Sequence, residues 1–253
     1  MRGQRIGFLS ITATASTEGS RTVVRSAWAG LAAGCLHTLA GADHLAALTP
    51  LTIGRSTAKA SLLGALWGFG HSTGQLLLGL LMVVLKDRFE RLVPTLSKWG
   101  GTTVGLTLLA IGALGIWECI SDARRRGSTP EGDLHVAEAN LGDIQQKDDR
   151  SFLLYVTGIV YGLQPDALFV IIPALALPSK LAAVAYILLF VFGTVAAMGG
   201  YTAVIGATSD AIRRTNSGLT TSLSGLASGV AIVVGCCILL SGWGVALPLT
   251  AAA

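Results

Sequence analysis

Three of the four histidines in this 253-residue chain stand in apolar surroundings: His37 and His44 in one hydrophobic stretch, with Asp43 between them, and His71 in the next. Imidazole nitrogen with carboxylate oxygen suits divalent first-row metals such as nickel, cobalt, zinc or iron, whereas a calcium or magnesium cage is all oxygen. An ionisable group at membrane depth is expensive and marks an ion or proton path by default. His37 and His44 are seven positions apart, which puts both rings on one helix face but about two turns apart. A straight helix leaves them too distant to share an ion. Gly41 lies between them, and a break there brings Asp43 and His44 back toward His37. Gln75 follows His71 by one turn on the same face. His135 sits in a polar segment and stays outside this group.

A second constellation echoes the first. Gly34-Cys-Leu-His37-Thr-Leu-Ala-Gly41-Ala-Asp43-His44-Leu and Gly158-Ile-Val-Tyr161-Gly-Leu-Gln164-Pro165-Asp166-Ala-Leu each run glycine, ring residue, helix-weakening residue, aspartate, apolar run. Gly41 and Pro165 are helix breaks at corresponding places, each beside an aspartate. Pro165 keeps Gln164 out of regular helix geometry. Asp166, Gln164, Tyr161 and Gln75 are read as the pathway or gating residues that complement the metal ligands His37, Asp43, His44 and His71.

The elements that must position these residues are membrane helices. The chain is 52% hydrophobic and 13% charged, with mean hydropathy +0.65, against about 25% charge in a soluble domain. Six apolar stretches, 26–48, 60–85, 99–119, 152–177, 181–207 and 221–247, contain only three charged residues, Asp43, Glu118 and Asp166. Each reaches the ~20 residues that span a bilayer core as a helix. This excludes a soluble enzyme, a disordered chain and a secreted disulfide scaffold. Trp28, Trp99, Trp117 and Trp243 end stretches, as interfacial anchors do; Trp67 lies inside one. Glu118 reads as interfacial and Asp210 as loop. The small-xxx-small pairs Gly30/Gly34, Gly64/Gly68, Gly70/Gly74, Gly101/Gly105, Gly158/Gly162 and Gly225/Gly229 are accounted for by close helix packing, and the four cysteines by apolar packing. Lysine and arginine divide nine to nine between the two sides, so the positive-inside rule gives no orientation.

The organisation expected is an all-α integral membrane protein of six transmembrane helices in a 3+3 inverted-topology repeat: a polar N-terminal tail over 1–25 with the composition of a transit-peptide remnant, a first repeat over 26–119, a polar loop over 120–151 and a second repeat over 152–253. Inverted repeats with interrupted helices are the architecture of secondary transporters, and the interruptions point to the binding site. No catalytic residue is assigned. Gly70-His-Ser-Thr-Gly74 matches the letters of a nucleophile elbow, but such an elbow needs a strand-to-helix turn, and the HExxH of a zinc protease is absent.

The motifs His37-Thr-Leu-Ala-Gly-Ala-Asp43-His44-Leu-Ala-Ala-Leu, Gly68-Phe-Gly-His71-Ser-Thr-Gly-Gln75 and Gly162-Leu-Gln-Pro-Asp166-Ala-Leu together resemble those of the nickel/cobalt transporter superfamily, in particular its urease-accessory-like branch, which includes plant plastid high-affinity nickel-transport proteins. The resemblance implies a polytopic nickel or cobalt carrier whose ion meets His37, Asp43, His44 and His71, in a plastid envelope or other organelle membrane, with a bacterial inner membrane as the alternative. Tyr161 stands where members of that branch commonly carry histidine. No tightly bound cofactor and no nucleic-acid partner is expected; the partners are the transported ion and the bilayer, and oligomeric state is left open. The residues by themselves also leave open a carrier of manganese, iron, zinc or a small solute, and a non-transporting haem or accessory subunit.

Overall fold

A computed structural model describes residues 2–85, 89–127, 139–164, 168–215 and 217–242. The described residues form helices joined by short turns, with no strand among them: α1 (Arg2–Ala40), α2 (Ala42–Thr52), α3 (Thr57–Leu85), α4 (Phe89–Gly127), α5 (Ala139–Gly162), α6 (Leu168–Leu175), α7 (Lys180–Thr215) and α8 (Ser217–Gly242). Four of them, α3, α4, α7 and α8, contain segments long and apolar enough to cross a membrane. The first expected span is divided at Gly41 into the end of α1 and all of α2. The fourth is divided into the end of α5 and the short α6, with Pro165 and Asp166 between them outside the described residues.

Helix extends further than composition suggests. Residues 2–25 of the polar segment are helical and form the start of α1, and helix runs into both ends of the expected loop 120–151. Asp210 is not in a loop: it lies in α7, where Arg213 and Arg214 donate to its two carboxylate oxygens at 2.7 and 3.1 Å. Those i,i+3 and i,i+4 spacings are the ones at which helix neighbours face each other. Trp243 and His135 are outside the described residues.

Large apolar side chains cover much of the described surface, and polar side chains are buried among the apolar ones of the core. Leu36, Leu62, Leu114, Leu188, Phe192, Val204 and Val233 are largely exposed, as are Trp28, Trp99 and Trp117, while His44, His71, Gln75, Thr38, Thr194 and Thr202 are buried. In water so much exposed apolar surface would demand a cover, and four of the helices are long and apolar enough to find one in a membrane. Glu118 is exposed at the end of its stretch, as an interfacial residue would be.

Glycines set the helix spacing at the centre. A methyl on Gly70 would overlap the carbonyl oxygen of Tyr155, one on Gly74 that of Ile159, one on Gly158 that of Trp67 and one on Gly162 that of His71, so α3 and α5 run side by side with backbones touching. Gly30 and Gly34 meet the carbonyls of Tyr186 and Phe190 in the same way, pairing α1 with α7. The packing account fails for Gly225 and Gly229, which have no close neighbour of this kind. The order of contacts fixes chain direction. α1 is parallel to α7 and α3 to α5. In contrast α3 is antiparallel to α7, with Gly64 against Met198 and Thr202 and Gly206 against Ala60, and α4 is antiparallel to α8, with Gly105 against Leu239 and Gly112 against Ile232. At the end of α2, Gly54 has φ +77, a conformation that favours glycine, and its N–H donates to Ser209 Oγ on α7 at 3.0 Å.

These contacts give an expected outcome. Gly162→Ala forces α5 away from α3 and should destabilise the protein by ~1–3 kcal/mol or more, the usual scale of overpacking. Gly200→Ala and Gly229→Ala, where an added methyl meets nothing within 4 Å, should leave stability unchanged. Thermal melts of the three variants in detergent, read by size-exclusion chromatography, make the comparison.

Candidate metal centre

His37 sits in the last turn of α1. The chain leaves helical geometry at Gly41, whose φ −76 and ψ 95 are extended, and re-enters helix at Ala42. Backbone hydrogen bonds run through the break, from Gly41 N–H to His37 O and from Leu45 N–H to Gly41 O, each 3.2 Å. Asp43 falls in the first turn of α2, and His44 follows it inward. The result is a His37–His44 ring-centroid distance of 5.2 Å, where a straight helix would separate the two positions by ~10 Å along its axis.

The third imidazole comes from the middle of α3. His71 is fully buried and lies 4.6 Å from His44 between ring centroids. Its Nε2 is 3.2 Å from His37 Nε2, a spacing at which one ring must donate and the other accept. His37, His44 and His71 each present a ligand nitrogen within 4.8 Å of the others, and the cluster could hold a metal ion. Zinc–imidazole distances of ~2.0–2.1 Å put three nitrogens around one ion after only a small contraction. Asp43 is brought near but not into this set. It is one-fifth exposed and its Oδ2 stands 3.9 Å from His44 Nε2, alongside that ring. Gln75, one turn beyond His71, places its Nε2 3.0 Å from His37 Nε2.

The pathway residues of the second half divide. Tyr161, the counterpart of His37, is fully buried beside the cluster with its ring 5.0 Å from Trp67, and its hydroxyl has no hydrogen-bond partner. Gln164 lies beyond the end of α5, in a turn where its N–H donates to Tyr161 O at 3.3 Å. Asp166 and Pro165 lie outside the described residues.

Two wall residues went unassigned in the sequence. The Trp67 indole lies parallel to the His71 ring, 3° between planes and 5.5 Å between centroids, and Phe190 from α7 stands 5.8 Å from His37. The signal for Trp67 was present: it is four positions before His71 and eight before Gln75, so all three share one face of α3. Phe190 had no such signal, because nothing along the chain says that α7 packs beside α1. Together these rings line the cluster with apolar surface, the kind of shell that limits solvent access to a metal site.

No family model and no solved structure matches the chain. It is similar to chloroplast protein FOR GROWTH AND FERTILITY 1 of Arabidopsis thaliana, with 46% identity over 230 residues covering 90% of this chain and 61% of that protein. It is likewise 46% identical to chloroplast protein FOR GROWTH AND FERTILITY 2 of the same plant over 221 residues, covering 87% of this chain and 57% of that one. The chain thus spans about three fifths of the length of these curated relatives.

Gly41 offers a sharp handle on the site. Its backbone angles are open to any residue, but a Cβ there would run into the His44 imidazole. Gly41→Ala should therefore fold with near-normal stability and yet bind cobalt(II) ~10–100-fold more weakly, the range seen when a ligand loses its orientation. Calorimetric titration with a parallel thermal melt reads both.

Proposed function

We propose that the chain is a multi-pass integral membrane carrier for a divalent transition-metal cation, nickel or cobalt foremost, acting in a chloroplast membrane. The observation that carries the reading is the convergence of His37, His44 and His71, from two separate parts of the chain, on one buried point. Three neutral imidazoles in a dry interior have little to offer an oxygen-seeking ion and much to offer a borderline one. The motif resemblance to nickel/cobalt transporters points the same way, and the compartment is taken from the names of the two plant relatives.

The six-span, 3+3 inverted arrangement draws support from the helix contacts. In six alternating spans the first and fifth run the same way, as do the second and fourth, while the second opposes the fifth and the third opposes the sixth. The observed directions of α1 with α7, α3 with α5, α3 with α7 and α4 with α8 follow that pattern. The contacts also repeat between halves. Gly34 faces Phe190 O and Thr194 N, and Gly158 faces Trp67 O and His71 N; Gly193 faces Leu31 O and Cys35 N, and Gly70 faces Tyr155 O and Ile159 N. A shift of 124 positions carries α1 onto α5, and one of 123 carries α3 onto α7, with Gly34 falling on Gly158 and Trp67 on Phe190. Under this exchange His37 becomes Tyr161 and His71 becomes Thr194. One half keeps the ligands and the other presents an aromatic and a hydroxyl in their place.

The broken helix also shapes the field at the site. The C-terminal end of α1 offers partly negative carbonyls, favourable to a cation, whereas the N-terminal end of α2 is partly positive. Asp43 in the first turn of α2 offsets that positive end and places a negative charge 3.9 Å from His44 Nε2. Ion passage then needs only the two broken segments to exchange which side of the site they seal, in the manner of repeat-based carriers. No step requires a covalent intermediate or a catalytic residue.

Calorimetry across nickel, cobalt, zinc, manganese and iron should give binding of nickel and cobalt to the wild type and at least about hundredfold weaker binding to His71→Ala. Metal uptake into proteoliposomes should fall in step. Uptake unchanged by His37→Ala combined with His71→Ala would overturn the reading, as would a wild type that binds none of the five metals.

A further inference from the structure

Resting on the metal-carrier reading, we infer that Gln75 is the fourth ligand of the ion, through its side-chain oxygen, and that the same amide closes the site when no ion is there. Gln75 is 3% exposed. Its NH2 group, 3.0 Å from His37 Nε2, points at the cluster, while its Oε1 is buried with no hydrogen-bond partner. An orphaned buried acceptor costs roughly 1–3 kcal/mol, so such a group in a folded protein calls for a reason. Oxygen and nitrogen of an amide exchange places by a half-turn of its terminal torsion. That half-turn swaps an N–H directed at His37 for an oxygen lone pair directed at the same point.

The surroundings allow the motion. A cavity of about 260 Å³ adjoins Gln75 on the side away from the histidines, walled by Ser72, Gly79, Ile187 and Phe190. Its lining is almost wholly apolar, and Ser72 Oγ, buried and also without a partner, is the other polar group beside it. Gln75 is thus shared between the cavity and the cluster.

The competing fourth ligand is Asp43, and geometry disfavours it. Its carboxylate stands alongside His44 and outside the group of converging nitrogens, whereas Gln75 reaches the nitrogen of His37 directly. Three imidazoles and an amide make a neutral donor set. The bound dication keeps most of its charge, with Asp43 as its nearest counter-charge, and binding stays moderate, as a cargo that must leave requires. The donor set is nitrogen-dominated with one hard oxygen, which favours nickel, cobalt and zinc over magnesium and calcium on one side and over copper(I) on the other.

Cobalt(II) added to the purified full chain is the probe, because the intense visible bands of four-coordinate cobalt report its ligand set. The wild type should show those bands. Gln75→Leu should weaken cobalt about tenfold or more and shift the bands as water takes the place of the amide oxygen. Gln75→Glu should restore both, since it returns an oxygen to the same place. A Gln75→Leu variant with the wild-type spectrum and affinity overturns the assignment of Gln75 and leaves the three-histidine site standing. A Gln75→Glu variant that folds, by its thermal melt, and lacks the bands overturns it equally. A wild type that binds cobalt by calorimetry without those bands overturns the four-coordinate assignment, and one that binds none of nickel, cobalt, zinc, manganese and iron overturns the carrier reading itself. His37→Ala, run in parallel, should abolish the bands.

Discussion

Ligand nitrogens stand ~2 Å from a metal such as zinc, so residues that share an ion must bring their donor atoms within a few ångströms of each other. Positions seven apart on a straight helix are ~10 Å apart along it. The chain meets the first requirement by suspending the second for one residue. At Gly41 the backbone is extended, the helix axis changes, and His44 swings back toward His37. The rest of the site inherits this geometry. Asp43 starts the new helix where its charge is useful, and α3 can present His71 at the middle of its length to a partner pair already assembled.

Placing α3 there demands close approach. Helices in lipid gain little from the hydrophobic effect against one another and associate through packing. Gly70 and Gly74 on α3 and Gly158 and Gly162 on α5 let the two backbones touch, and that contact sets Tyr161 against Trp67 and Trp67 against His71. The glycines do not bind anything. They determine how far the aromatic wall stands from the ligands, which makes their role functional through distance alone.

Much of this was legible in the sequence, and what was not has a common cause. The histidine–aspartate group, the break at Gly41 and the shared face of His71 and Gln75 are properties of single segments, and residue type with helical period reveals them. The partnership of α1 with α7, the wall formed by Phe190 and the stranded oxygen of Gln75 depend on which helices lie side by side, which no period encodes. Asp210 falls in helix rather than loop for a different reason. Polar residues that find i,i+3 and i,i+4 partners, as Asp210 does with Arg213 and Arg214, stay helical beyond the apolar core. Asp43 was read as a ligand equal to the histidines; its place beside His44 is set by the sharp turn into α2, a detail that spacing alone cannot resolve.

The parallel stack of Trp67 on His71 bears on selectivity. The nitrogen lone pairs of an imidazole lie in its ring plane, and His37 lies within 16° of the same orientation. An ion held by this pair would meet two ring planes of nearly equal tilt, a demand on coordination angle rather than on ionic radius.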